Sequence, residues 1–303
     1  MPLALAVGLG ACLPARFLAR NAEAWARPLA PAPGHADSPA RPDARLAVLW
    51  AGHATVLVQI DDKFVLTDPV FSNAVGQVSR RLVAPGIEPE RLPPLDAVVV
   101  SHTHFDHLSL SSLRRLEGRA QRLFVPAGAL VYVPNYAFPA APLKRFASWA
   151  SPDGLRITAV PVDHVGGRYG IDQLWMGETA HTGYVISYHG YNVYFGGDTA
   201  YKADYFRATR ERFPKLDLAI LPIAPINPRD FMRRTHMDPI EALRAFDDLG
   251  AERLMPIHFD TFINSTDREG EARERFQQLV AERKLTPKVS LLAIGEQRVL
   301  IGR

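Results

Sequence analysis

From Arg45 onward the apolar positions come in short bursts separated by turn residues. RLAVLW (45–50), TVLVQI (55–60) and KFVLTD (63–68) are apolar or alternating runs of strand length, and Asp61-Asp62 supplies a turn between the last two. LDAVVVSH (95–102) is a continuous apolar run, the pattern of a strand covered on both faces. Further strands are predicted at 122–126 and 155–162, in a hairpin over 183–197 that turns near His189-Gly190, and at 216–223, 253–257 and 288–301. Helices are predicted at 108–117, closed by Gly118, and at 202–212, 238–249 and 271–284. The helix at 238–249 carries the fullest signals. Asp238 is its N-cap, Pro239 occupies the first helical position, Glu241 completes a capping box and Gly250 stops it. Ile240, Leu243, Phe246 and Leu249 give it one apolar face. Two runs of strands, each interleaved with helices, predict an α/β protein with helices outside paired sheets.

Upstream the pattern stops. Residues 27–44, RPLAPAPGHADSPARPDA, have no apolar period, and a segment of that composition reads as a tether. The expected division is therefore a leader and tether over 1–45 and a folded domain over 46–303. Residues 3–13, LALAVGLGACL, resemble a bacterial lipoprotein signal ending at Cys12, the single cysteine. That resemblance implies a lipid anchor at Cys12 and a periplasm-facing place in the cell envelope; an ordinary apolar tail instead leaves the cytoplasm as the location. One cysteine excludes an internal disulfide, and no stretch approaches the ~20 apolar residues that span a bilayer.

Composition adds exclusions. With 303 residues, 47% hydrophobic and 22% charged, the chain has material for a sizeable core. A net charge of +3 without a Lys/Arg run argues against nucleic acid as a partner.

The chemistry gathers at HTHFDH (102–107), directly after the buried strand. In extended chain His102 and His104 point to one side, and Asp106 and His107 enter the turn before the next helix. Imidazole and carboxylate are ligands that zinc accepts, and a set without cysteine also suits iron or manganese. Further ligands should sit at comparable strand ends. His164 ends LRITAVPVDH, Asp198 ends YNVYFGGD and His258 ends RLMPIH. Seven ligands suffice for two metals if one carboxylate bridges them.

The order H-x-H-x-D-H, a later His, FGGD and a late IH resembles the metallo-β-lactamase fold superfamily from about Leu46 to the C-terminus. Within it, GHATVLVQI (52–60), FVLTDPVFS (64–72), LPPLDAVVVSHTHFDHL (92–108), FGGDTAY (195–201), PIAPINPRDFMRRTHMDPIEA (222–242) and PIHFDTF (256–262) are similar to N-acylphosphatidylethanolamine-hydrolysing phospholipases D and their bacterial relatives. The resemblance implies a four-layer αβ/βα sandwich. It also implies two Zn2+ ions, one on His102, His104 and His164, the other on Asp106, His107 and His258, with Asp198 bridging. Asp198, Asp106 and His236 would then serve a phosphodiesterase reaction on a phospholipid or other anionic diester, driven by a metal-bridging hydroxide. Asp68 and His53 would orient the ligands. From local sequence alone Asp68 reads equally as a turn cap and His53 as a core-edge histidine.

His236 precedes the capped helix at Asp238, where backbone N–H groups favour an anion. Arg80, Arg81, Arg168, Arg233 and Arg234 are candidates for an anionic head group, although arginine is frequent throughout the chain. His35 and His189 receive no role, and His181 is unassigned. The chain departs from the phospholipase pattern after His164, where Val165-Gly166-Gly167 replaces an aromatic, and 169–183 is re-spaced. The same metal centre opening a lactone is therefore a second reading. A metal-binding envelope protein with a regulatory role is a third.

Overall fold

The computed structural model describes residues 3–303 apart from 37 and 77, with side chains from Pro14 onward. The first sheet is built from β1 (Ala44–Gly52), β2 (Thr55–Ile60) and β3 (Lys63–Thr67). After the two-stranded ribbon β4 (Ala74–Val75) and β5 (Ser79–Arg80), it continues with β6 (Ala97–Val99), β7 (Leu123–Pro126) and β8 (Ala140–Leu143). The second sheet holds β9 (Ser148–Ala150), β10 (Arg156–Val160), β11 (Gly183–Tyr188), β12 (Tyr191–Phe195), β13 (Leu218–Pro222) and β14 (Leu254–Ile257). The last strand, β15 (Gln297–Gly302), returns to the first sheet and lies antiparallel to β1. The orders are β15-β1-β2-β3-β6-β7-β8 and β14-β13-β12-β11-β10-β9.

Period two decides which residues meet. Leu46, Val48 and Trp50 of β1, Val56, Val58 and Ile60 of β2, and Val99 of β6 join one core with Ile157, Tyr184, Ile186 and Phe195 of the second sheet. Their neighbours Leu49, Leu57, Leu66 and Val98 turn outward into a second core with Leu113 and Leu116. Leu113 belongs to α2 (Leu110–Arg114). On the far side, α4 (Ala203–Arg212), α6 (Pro239–Leu249) and α7 (Glu271–Glu282) cover the second sheet through Phe206, Leu243, Phe246 and Phe276. The short α3 (Gln173–Met176) and α5 (Arg229–Met232) lie in loops. The layers are helix, sheet, sheet, helix, the αβ/βα sandwich that the resemblance implied.

The cap of α6 forms in part. Asp238 Oδ1 accepts from Glu241 N–H at 2.9 Å, and Gly250 ends the helix at φ 62°. The reciprocal half of the box does not form, because the Glu241 carboxylate takes the Arg229 guanidinium instead. The C-terminal strand is shorter than the expected 288–301, since β15 spans Gln297–Gly302 and Val289 makes only an isolated bridge to Leu254.

The N-terminus departs most from expectation. The backbone is helical over α1 (Leu3–Ala26), whose second half docks on the domain. Asn21, 2% exposed, accepts from Arg80 N–H and donates to Ile263 O. The Ala/Pro-rich segment does not behave as a free tether. Ala30 exchanges backbone hydrogen bonds with Leu82 and Ala84, Gly34 donates to Ile294 O, and Gln59 binds the Arg41 backbone on both sides. Burial is supplied by the domain, so the segment needs no core of its own. The side chain of Cys12 lies outside the described residues, and no helix is long and apolar enough to cross a membrane among those described.

Candidate metal centre

All the motif residues lie at the C-terminal ends of strands along one edge of the sandwich: Asp68 after β3, HTHFDH after β6, His164 after β10, Asp198 after β12 and His258 after β14. A crevice at strand carboxyl ends is where α/β sheets place their chemistry. Gly197 makes the closest approach possible. At φ 57° it lies against Ser101, whose Cβ would sit 2.3 Å from any added side-chain carbon.

Three imidazoles form one set. His102 Nε2 lies 2.8 Å from His104 Nδ1, which lies 3.4 Å from His164 Nε2. A second set joins His107 Nε2, 3.3 Å from His258 Nε2, to Asp106 Oδ2, 3.7 and 3.9 Å from those nitrogens. His53 Nε2 is 3.1 Å from the same Asp106 oxygen. Asp198 stands between the sets. Its Oδ2 is 3.3 Å from His107 Nε2, 3.9 Å from His102 Nε2 and 4.0 Å from His164 Nε2, while Oδ1 faces His258 Nε2 at 3.0 Å.

The proton inventory fixes which nitrogens face inward. Asp68, fully buried, accepts from Ser101 N–H and Ser101 Oγ–H, each at 2.6 Å, and meets His107 Nδ1 at 2.6 Å. With the serine proton committed to Asp68, His102 Nδ1 must donate to Ser101 Oγ at 2.9 Å. His107 Nδ1 likewise donates to Asp68. One carboxylate therefore orients a histidine in each set, turning both Nε2 atoms inward. His164 Nδ1 meets Thr235 O at 2.8 Å, with the same effect. Ser101, the relay to His102, carries no sequence signal; only the fold brings it against Asp68. His53 works through its backbone as well, accepting from Trp50 Nε1 at 2.9 Å and from His258 N–H at 3.1 Å. His53, Asp68 and His258 all have positive φ, at 54°, 32° and 70°, local strain concentrated at the centre.

Burial pushes His102, His104 and His164 below the ordinary histidine range, and neighbouring rings add to the effect for His102 and His164. Burial also takes His53 down to about 3 and His236 to about 4. Asp198 is the reverse case. Burial opposes its charge, but His258 and His107 hold the carboxyl well below its usual range. His107 overcomes burial because Asp198, Asp106 and Asp68 surround it, and it is raised well above its ordinary value. Imidazole nitrogens turned inward together beside two carboxylates, once deprotonated, are a donor set suited to divalent cations. Asp198 Oδ1 and His258 Nδ1 are enclosed without a hydrogen-bond partner, which agrees with that fit for the carboxylate oxygen. His102, His104 and His164 would hold one ion and Asp106, His107 and His258 the other, with Asp198 reaching both.

The chain's residues 63–259 match the model of the β-lactamase superfamily domain, which is more than half of the sequence. The chain belongs to that superfamily. An uncharacterized protein of Mycobacterium tuberculosis is 34% identical over 277 residues, covering 88% of this chain and 72% of that protein. N-acyl-phosphatidylethanolamine-hydrolyzing phospholipase D 1 of Caenorhabditis elegans is 29% identical over 268 residues, covering 82% and 74%. A solved metallo hydrolase of the archaeon Ignicoccus hospitalis has a TM-score of 0.61 at 22% identity, covering 84% of this chain and 97% of its own, and so shares the fold. The chain is a metal-dependent hydrolase of the metallo-β-lactamase fold.

Around this hydrolase's centre the remaining candidates separate. His236 Nδ1 is 3.6 Å from Asp198 Oδ2, and its ring is 5.1 Å from that of His164. Arg229, overlooked in the sequence, donates to His236 O at 3.1 Å and helps hold the loop. Three of the five candidate arginines are occupied elsewhere. Arg168, 8% exposed, donates to Thr103 O and Leu108 O and lies 4.2 Å over Phe105, clamping the HTHFDH loop. Arg81, 1% exposed, donates to Ser72 O and Val70 O, and Arg80 covers Trp25 at 4.7 Å. Arg233 and Arg234 remain exposed. His189 pairs with Asp61 at a hairpin turn remote from the ligands.

The mouth of the centre has another character. Tyr169 (66% exposed), Leu174 (84%) and Trp175 (68%), with Val165 and Ile171, stand out from one loop. Val131 and Phe231 are also exposed. Tyr132 and Phe105 contact the Tyr169 ring at 5.9 and 5.8 Å, which joins these segments to the HTHFDH loop.

Proposed function

We propose that this hydrolase is a binuclear zinc phosphodiesterase of phospholipase D type, acting on N-acylphosphatidylethanolamine-like or related anionic lipids. The observation that carries the reading is the exposed apolar rim beside a buried charged centre. Water-soluble substrates give no reason to keep Leu174 and Trp175 in solvent. A lipid's acyl chains do, with Arg233 and Arg234 beside Phe231 suited to its phosphate zone. The activity for which the Caenorhabditis elegans relative is named agrees with this reading.

Two bound ions would supply a water whose pKa falls from about 15.7 toward about 7 and would polarise the phosphoryl group. The protein's own part is orientation. Asp68 and Ser101 hold His102 and His107 in the ligating tautomer, and His53 steadies Asp106 and the His258 backbone. His236, neutral at ordinary pH, suits hydrogen bonding to a phosphoryl oxygen better than delivery of a proton from an imidazolium. The location in the envelope through Cys12 belongs to the same proposal, and the mass of the mature N-terminus from the native cell tests it.

Zinc-loaded full-length protein with N-acylphosphatidylethanolamine in mixed micelles is the experiment, read by mass spectrometry of the products. N-acylethanolamine with phosphatidic acid is expected. No release from protein shown to carry two metals overturns the lipid reading and favours a soluble diester or a lactone.

A further inference from the structure

His181 has no part in the centre described above, yet it borders it. Its backbone bridges His102, and its ring stands edge-on to His164 with centroids 6.4 Å apart. It is 9% exposed, its Nδ1 is enclosed without a partner, and Nε2 is the ring nitrogen left to its surroundings. Those surroundings are a cavity of about 310 Å³, lined by Lys144, Arg145, Val162, Glu178, His181 and Thr182 among others. That volume suits a substituent of a small ligand.

The charges of the wall are unequal. Arg145 Nη2 and Glu178 Oε2 pair at 3.0 Å and largely cancel. Asp163, which also faces His181, lies 3.9 Å from Lys202 Nζ. Lys144 makes no ion pair among the described residues, so one cation is left over at the mouth with a histidine at the back. Two nitrogen donors across a small cavity match the oxygens of an oxyanion.

We propose that this cavity is a subsite for a second oxyanion of the substrate, a phosphomonoester or carboxylate carried beyond the bond that is cleaved, held by His181 and Lys144. Glu178, His181 and Thr182 supply one part of its wall, and Lys144, Arg145 and Val162 another. The subsite depends on ligands binding at the metal centre and not on those ligands being lipids.

The test is calorimetric titration of the zinc-loaded full chain with methylphosphonate, with short α,ω-alkane bisphosphonates, and with the matching phosphonocarboxylates. Methylphosphonate reports the metal centre alone. In the unaltered protein one linker length should bind roughly tenfold more tightly than methylphosphonate, the scale of a charge-assisted hydrogen bond or two. Whether the bisphosphonate or the phosphonocarboxylate gains more identifies the oxyanion. Lys144→Ala, at an exposed position, and His181→Gln should lose the gain while leaving methylphosphonate unchanged; Glu178→Gln should enlarge it. No gain at any linker length, or an equal gain in Lys144→Ala and the unaltered protein, overturns the subsite. Because the ligands are not lipids, the result stands apart from the micelle experiment.

Discussion

The floor and the rim of the centre are built on opposite terms. On the floor, Asp68, Ser101, His102 and His107 are almost wholly enclosed, and each polar hydrogen has one destination. At the rim, Leu174 and Trp175 are mostly in solvent and little fixes their side chains. A buried polar network loses heavily when one member goes, because its partners are left uncompensated. A solvated apolar residue contributes almost nothing to stability, so its presence must be explained by what it meets. The floor is therefore held in one arrangement, while the rim stays in solvent, as the proposed lipid substrate requires.

Substitutions should separate the two. The largest effect is expected for Asp198→Ala, which removes the carboxylate that faces the inward nitrogens of both ligand sets. Metal content by mass spectrometry should fall below two ions, and kcat should drop on the order of a thousandfold or more. Two retained metals with unchanged turnover would remove the bridging assignment. Asp68→Ala touches no ion yet frees two tautomers, and about 10–100-fold weaker metal binding should follow, read by competition with a chelator. At the rim, Leu174→Asp with Trp175→Ser should reduce turnover of micellar lipid by roughly tenfold while a soluble diester and thermal stability stay nearly unchanged. Equal losses on both substrates would mean that the loop shapes the centre.

Acid should act on the floor first. His53 is held at about 3, and His181 and His236 at about 4, against 6.5 for the free side chain. Their folded values are depressed, so the stability they contribute is whole above pH 6.5 and is lost as pH falls from there toward 4 and 3. His107 is raised and works in the opposite sense. The midpoint of denaturant unfolding should fall across that window, and His53→Phe should flatten the fall if the fold survives. The smallest effect is expected for Asp238→Ala at the α6 cap, about 1 kcal/mol of stability with kcat little changed.

The clustering of the candidate ligands was legible because each terminates an apolar run, and period two in the strand put His102 and His104 on one side. Ser101 was not, since a serine after VVV is ordinary until Asp68 arrives from another strand. The arginines misled for a related reason. Arg81 and Arg168 look like surface charges in a sequence, and only the loops they clamp reveal that they are nearly buried. The segment 27–44 failed on a different point. Composition reports whether a stretch can make its own core, whereas this one borrows hydrogen bonds from Leu82, Ala84 and Ile294. The exposure of Leu174 and Trp175 escaped because residues 165–177 have no period that distinguishes core from solvent.

The pairing of β15 with β1 bears on how the protein is made. Synthesis delivers β1 early, but its neighbour on the outer side is Gln297–Gly302, which lies far later in the chain. Until β15 arrives β1 presents an unsatisfied edge, and His258 meets His107 only after the long stretch between them has emerged. Contacts of such long sequence separation fold slowly. Closure of the His/Asp cluster is thus a late step of folding, and a chain lacking β15 would leave an adhesive edge at the start of the sheet.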